Sequence, residues 1–117
     1  MATSYHESNL SEAARDVHRA LVSLQEELEA ADWYHQRIDT TNDEELSQIL
    51  AHNRDEELEH AAMLLEYLRR NGAMPIDDAL STYLFTKKPV TEIEDEAEGG
   101  GENEDAGSDD LGIGSGK

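Results

Sequence analysis
The sequence predicts an all-α fold: an antiparallel hairpin of two long helices that pairs with a second copy to make a four-helix bundle. Three observations predict it. Leu10, Ala14, Val17, Leu21, Leu24, Leu28 and Ala31 alternate steps of four and three residues, and Leu46, Leu50, Ala61, Leu64 and Leu68 make a second such stripe. Residues 39–44, Asp-Thr-Thr-Asn-Asp-Glu, lie between the stripes and offer short polar side chains suited to a turn and a helix cap. Both stripes carry acidic residues among their apolar ones, so two helices alone would leave those faces half open to water.

Taken in order, residues 1–9 are polar and predicted to be flexible. The first helix begins near Asn9 to Glu12, where Asn9 and Ser11 offer caps and Glu12 an acidic first turn, and it continues without glycine or proline to about Ile38. The second runs from about Asp43 to Asn71. Arg69 and Arg70 complement its C-terminal dipole, and Gly72 supplies a left-handed stop. After Pro75, residues 76–85 read as a short helix or extended arm, with Leu80, Tyr83, Leu84 and Phe85 available for docking, and Lys87, Lys88 and Pro89 end it. Residues 10–90 thus form the hairpin and its arm. Residues 91–110 are acidic and glycine-rich with almost nothing apolar, a composition that predicts a disordered linker. Residues 111–117, LGIGSGK, restore two aliphatic side chains and read as a short docking peptide.

Composition narrows the function. A net charge of −19 and a sequence pI near 4.3 repel nucleic acid and anionic lipid and attract cations. With no cysteine there is no disulfide framework, and a metal must take oxygen and nitrogen ligands, the set that suits iron, manganese or calcium. No apolar run has the length of a membrane span and no export segment is evident, so a cytoplasmic location is expected.

The chemistry gathers on the second stripe. At about 100° per residue, Glu57 lies among Leu46, Leu50, Ala61, Leu64 and Leu68, with His60 beside it. A carboxylate at such a position requires a partner, and a cation is the simplest. Glu-x-x-His puts a carboxylate and a ring nitrogen on one side of a helix, as in helix-bundle di-iron proteins. Glu27 borders the first stripe beside Leu24, Leu28 and Ala31. A two-fold dimer would double Glu27, Glu57 and His60 to six ligands, and Tyr34, on the same side as Glu27, would border them. Glu26, Glu29 and Trp33 lie on another face, suited to a further contact. His52, Glu56 and Glu59 cluster outward at spacings of four and three and could hold a hard cation such as calcium. His6, His18 and His35 read as surface residues. Two other functions fit the pattern: a non-catalytic scaffold using metal for assembly, and an acidic coiled-coil adaptor in which Glu57 and His60 pair with basic residues.

The stretches EELEAADWYHQRID from Glu26, AHNRDEELEHAAMLLEYLRR from Ala51 and TYLF from Thr82 resemble the encapsulated ferritins, which are two-helix ferritin-like proteins housed in encapsulin nanocompartments. The resemblance implies half a ferritin bundle completed by dimerisation and a ring-shaped decamer. It implies a ferroxidase that oxidises Fe²⁺ with dioxygen at a di-iron centre, for storage of mineral in a separate encapsulin shell. The iron ligands would fall on Glu27, Glu57 and His60, the bordering tyrosine on Tyr34, and an entry site on Glu26, Glu29 and Trp33. The C-terminal LGIGSGK is similar to an encapsulin cargo-loading peptide, with Gly116 where such peptides commonly carry a large aliphatic residue.

Overall fold
The structure, a computed structural model, describes residues 5–101, with side chains to Gly99. It is helical as the sequence predicts. Helix α1 spans Glu12–Thr40, α2 Glu44–Asn71, α3 Ile76–Tyr83 and α4 Val90–Gly101.

The first helix starts where Ser11 leaves extended geometry and its side chain accepts the Ala14 N–H at 3.1 Å. That hydrogen bond satisfies one of the donors that a helix N-terminus leaves unpaired. Asp43 does the same for α2, accepting the Leu46 N–H at 2.8 Å. Gly72 ends α2 at φ 82°, a left-handed conformation that a β-carbon would disfavour. Just inside that end, Arg69 and Arg70 both clamp Glu66, at 2.7 and 2.9 Å.

Two compact units divide at Ala73. In the first, α1 and α2 pack along their length. The buried positions are mostly small, Ala20, Ala31 and Ala61, with Leu68 only 1% exposed. Small side chains let the two backbones approach, but they leave much apolar surface uncovered. Leu28 is 49% exposed and Leu46 45%, so the stripes are part open as the sequence predicted. No helix is long and apolar enough to cross a membrane among the described residues.

The second unit holds α3, on the stretch read as a helix or arm, and α4. The latter departs from the expected linker: residues 90–101 are helical, whereas 102–110 and the peptide 111–117 lie outside the described residues. The reason is local. Pro89 accepts hydrogen bonds from the N–H groups of Glu92 and Ile93, opening the first turn, and Lys88 reaches Glu96 at 2.9 Å. Ile93 and Ala97 are half-buried at a spacing of four, which gives the acidic run one apolar edge.

Candidate metal centre
The middle of each long helix contributes to one constellation. Glu27 on α1 and Glu57 and His60 on α2 each offer a ligand atom, and these atoms lie within 4.8 Å of one another. His60 Nδ1 stands 3.5 Å from Glu27 Oε1 and 3.4 Å from Glu57 Oε1. Helical periodicity alone sets the Glu57–His60 pair, while the antiparallel packing brings up Glu27. Both carboxylates are about a quarter exposed and the imidazole about half, so the cluster opens at the uncovered face. Among the described residues, no other group of three such donors converges.

The electrostatics of the cluster favour a cation there. Glu27 is raised above the ordinary carboxylate value, chiefly by a hydrogen bond with Glu57, then by burial and by the Glu57 charge. Desolvation pulls the His60 imidazole downward, but the charges and hydrogen bonds of Glu27 and Glu57 outweigh it and the net shift is upward. No lysine or arginine of the chain pairs with Glu27 or Glu57 among the described residues. Two carboxylates and one imidazole are a hard to borderline donor set that fits Fe²⁺. Three donors are too few to fill its coordination, and a second copy would supply three more.

The other expected residues lie outside this three-donor cluster. Tyr34 is half-buried, with the Arg37 guanidinium 5.5 Å from its ring centroid. Glu26, Glu29 and Trp33 are exposed on α1, and Glu26 and Glu29 do not join a three-donor cluster within the chain. His52, Glu56 and Glu59 do not converge either. Glu56 instead has its carboxylate 3.8 Å from His60 Nε2, on the far edge of the ring from Glu27 and Glu57. Sequence reading missed that proximity, although the spacing of four between Glu56 and His60 could have found it. It also left His18 and His35 as plain surface residues. His18 is half-buried with its ring 4.7 Å from that of Tyr5, and Arg54 lies 3.2 Å from His35 Nδ1, joining α2 to α1.

Comparison with known proteins identifies the family. The EncFtn-like family model matches residues 2–87. The chain is 62% identical over 116 residues to a ferritin-like protein of Thermotoga maritima, covering 97% of each. It is 54% identical over 114 residues to an encapsulated ferritin-like protein of Rhodospirillum rubrum, covering 91% of this chain and 81% of that one. The crystal structure of protein ne0167 from Nitrosomonas europaea superposes with a TM-score of 0.69 at 57% identity, over 74% of this chain and 96% of that one. With its two long helices and a carboxylate–histidine cluster between them, the chain belongs to the EncFtn-like family of encapsulated ferritin-like proteins.

Proposed function
We propose that the protein is a ferroxidase, oxidising Fe²⁺ to Fe³⁺ with dioxygen at a di-iron centre completed between two subunits. The observation that carries the reading is the convergence of Glu27, Glu57 and His60 at a face that is open and apolar around them. Two chains facing each other there would bring four carboxylates and two imidazoles together. Four negative charges match two ferrous ions, and bridging carboxylates suit metals held about 3.5–4 Å apart. Each iron gives up one electron and dioxygen accepts them. Anionic oxygen ligands favour the more highly charged ferric product, which is the driving force the protein supplies.

Within this reading Glu27 and Glu57 bind Fe²⁺ through their carboxylates, and His60 Nδ1 completes the donor set. Glu56, beside Nε2, is placed to orient the ring. Tyr34 borders the site. Glu26, Glu29 and Trp33 lie on a separate face and serve as a route of approach for iron. The relative from Rhodospirillum rubrum is named as encapsulated, which supports an encapsulin compartment as the cellular setting. In this reading residues 111–117 are the address and a ring-shaped decamer is the assembly.

Anaerobic loading with Fe²⁺ followed by oxygen tests the proposal. Ferric absorbance should rise at two irons per dimer, and His60→Ala or Glu57→Ala should nearly abolish it while the helices stay formed. Either variant oxidising iron at the wild-type rate would refute the assignment. Metal bound at that stoichiometry without oxidation would leave a scaffold role for the same site.

A further inference from the structure
Helix α2 ends on Asn71, and of the five asparagines in the sequence this is the one that precedes a glycine. That pairing is the reactive one. The carbon of a side-chain amide can be attacked by the backbone nitrogen of the next residue, and only glycine leaves that nitrogen without a β-carbon beside it. Asn71, Gly72 and Ala73 are all exposed, and nothing lies within 4 Å of where a β-carbon on Gly72 would be, so water has access. The nitrogen is also released from the helix ladder. Thr41 and Leu84, which close α1 and α3, donate their N–H groups to the carbonyls of Arg37 and Leu80 at 3.0 and 2.8 Å. Gly72 closes α2 without a hydrogen bond of that kind among the described residues.

Two hydrogen bonds hold the amide in a way that suits its loss. Asn71 Oδ1 accepts the Ala73 N–H at 3.0 Å, and Asn71 Nδ2 donates to the Tyr67 hydroxyl, one helical turn back, at 3.3 Å. The first contact places a donor on the oxygen where negative charge develops when the carbonyl is attacked. The second sets a hydroxyl, which can donate as well as accept, beside the nitrogen that has to leave.

We infer that Asn71 is a site of spontaneous covalent modification, closing on Gly72 to a cyclic imide that water then opens. The Gly72 nitrogen bonds to Asn71 Cγ and gives up its proton, the Cγ–Nδ2 bond breaks, and the amide nitrogen departs with one added proton as ammonia. Water adds at either carbonyl of the imide. One product is aspartate. The other is isoaspartate, in which the main chain runs through the side-chain carbon and is one carbon longer. Each product adds one negative charge to the chain's −19, at the C-terminal end of α2, where the helix dipole disfavours an anion. The change falls just before Ala73, where the first compact unit ends. It lies about 16 Å along α2 from His60, so the metal centre does not take part in it.

Full-length protein held in warm, mildly alkaline buffer and sampled over days tests the inference, with peptide mapping by mass spectrometry and ammonia release as the readouts. Conversion should gather at Asn71 while Asn9, Asn42 and Asn53 keep their amides. Gly72→Ala should slow it, with circular dichroism verifying that the helices remain. Tyr67→Phe should slow it by about tenfold, the rate equivalent of one hydrogen bond. Asn71→Asp, which creates the first product directly, should lower Tm by about 1–8 °C. An Asn71 that stays intact, that converts no faster than Asn53, or that converts at the wild-type rate in Gly72→Ala overturns the inference. An unchanged rate in Tyr67→Phe overturns the part given to the hydroxyl, and an Asn71→Asp protein as stable as wild type overturns the consequence for the helix end.

Discussion

Replacing Glu57 with glutamine should reverse the order of stability between wild type and variant according to whether metal is present. The substitution keeps the side chain's shape and hydrogen-bonding capacity but removes its charge. Glu27 and Glu57 have ligand atoms within 4.8 Å of each other. At that separation two negative charges repel by about 1 kcal/mol in bulk water and about 3.5 kcal/mol at an effective dielectric of 20. Both side chains are about a quarter exposed, so solvent screens the pair and about 1–2 kcal/mol is the working figure. Without metal at alkaline pH, where both carboxylates are ionised, the variant should be the more stable by that amount. For a domain of this size that raises Tm by about 4–16 °C. The pH dependence follows from the same contact. Glu27 is raised in the folded state, so the folded chain holds more protons than the unfolded one and loses stability as pH rises through that raised value. Glutamine at position 57 removes the repulsion and flattens this slope. With metal the order inverts, because a ligand at 100 times its Kd stabilises wild type by about 2.7 kcal/mol and a site lacking one anion gains less. Thermal melts in chelator, then with anaerobic Fe²⁺, read both arms. A variant less stable than wild type in chelator would refute the repulsion, and an undiminished metal shift would remove Glu57 from the ligand set.

Other outcomes are expected. Glu29→Ala, like Glu26→Ala and Trp33→Ala, should slow ferric formation modestly without silencing it, and silencing as complete as that of His60→Ala would merge the two faces functionally. Glu66 is lowered to about 2 by Arg69 and then Arg70, so its contribution to stability is present above the ordinary carboxylate value and is lost as pH falls toward about 2. Glu66→Gln should therefore lower Tm at neutral pH, with the difference vanishing near pH 2. Sizing across a metal series should show larger species with Fe²⁺ than with chelator. Deleting residues 111–117 should abolish co-purification with a co-expressed encapsulin shell while oxidation by the free protein persists.

The hairpin was legible in the sequence because each of its determinants is local: a stripe at helical spacing, Ser11 and Asp43 as caps, Gly72 as a stop. Glu57 and His60 were legible for the same reason, being three residues apart on one helix. Glu27 joins them across the packing of two helices, and its position in the stripe pointed there because an acidic residue among leucines needs a partner. Of the stretch expected as a linker, residues 91–101 are helical, since composition averages away the edge formed by Ile93 and Ala97 and the ion pair of Lys88 with Glu96. Phe85 was flagged only as available for docking. Its positive φ is a backbone property that no side-chain pattern encodes, and a turn position that favours glycine gives no hint when phenylalanine fills it.

The acidity of the chain and the incompleteness of its metal centre are one physical problem. Each copy brings a net charge of −19, so copies repel before they touch. The apolar faces that would reward association also carry Glu27 and Glu57, whose like charges oppose it most strongly at the shortest range. Protonating the cluster would relieve this within one chain but would remove an anionic ligand in doing so. Two divalent cations between two chains relieve it without that loss, since their four positive charges cancel the four carboxylates at the point of closest approach. A cation held by both chains and by neither alone stabilises the pair by mass action, so association and iron binding drive each other. In the proposed dimer the half-exposed leucines would be covered as the site fills. Geometry that is too polar for a stable dry interface and too sparse for a complete metal site becomes adequate for both when the two form together.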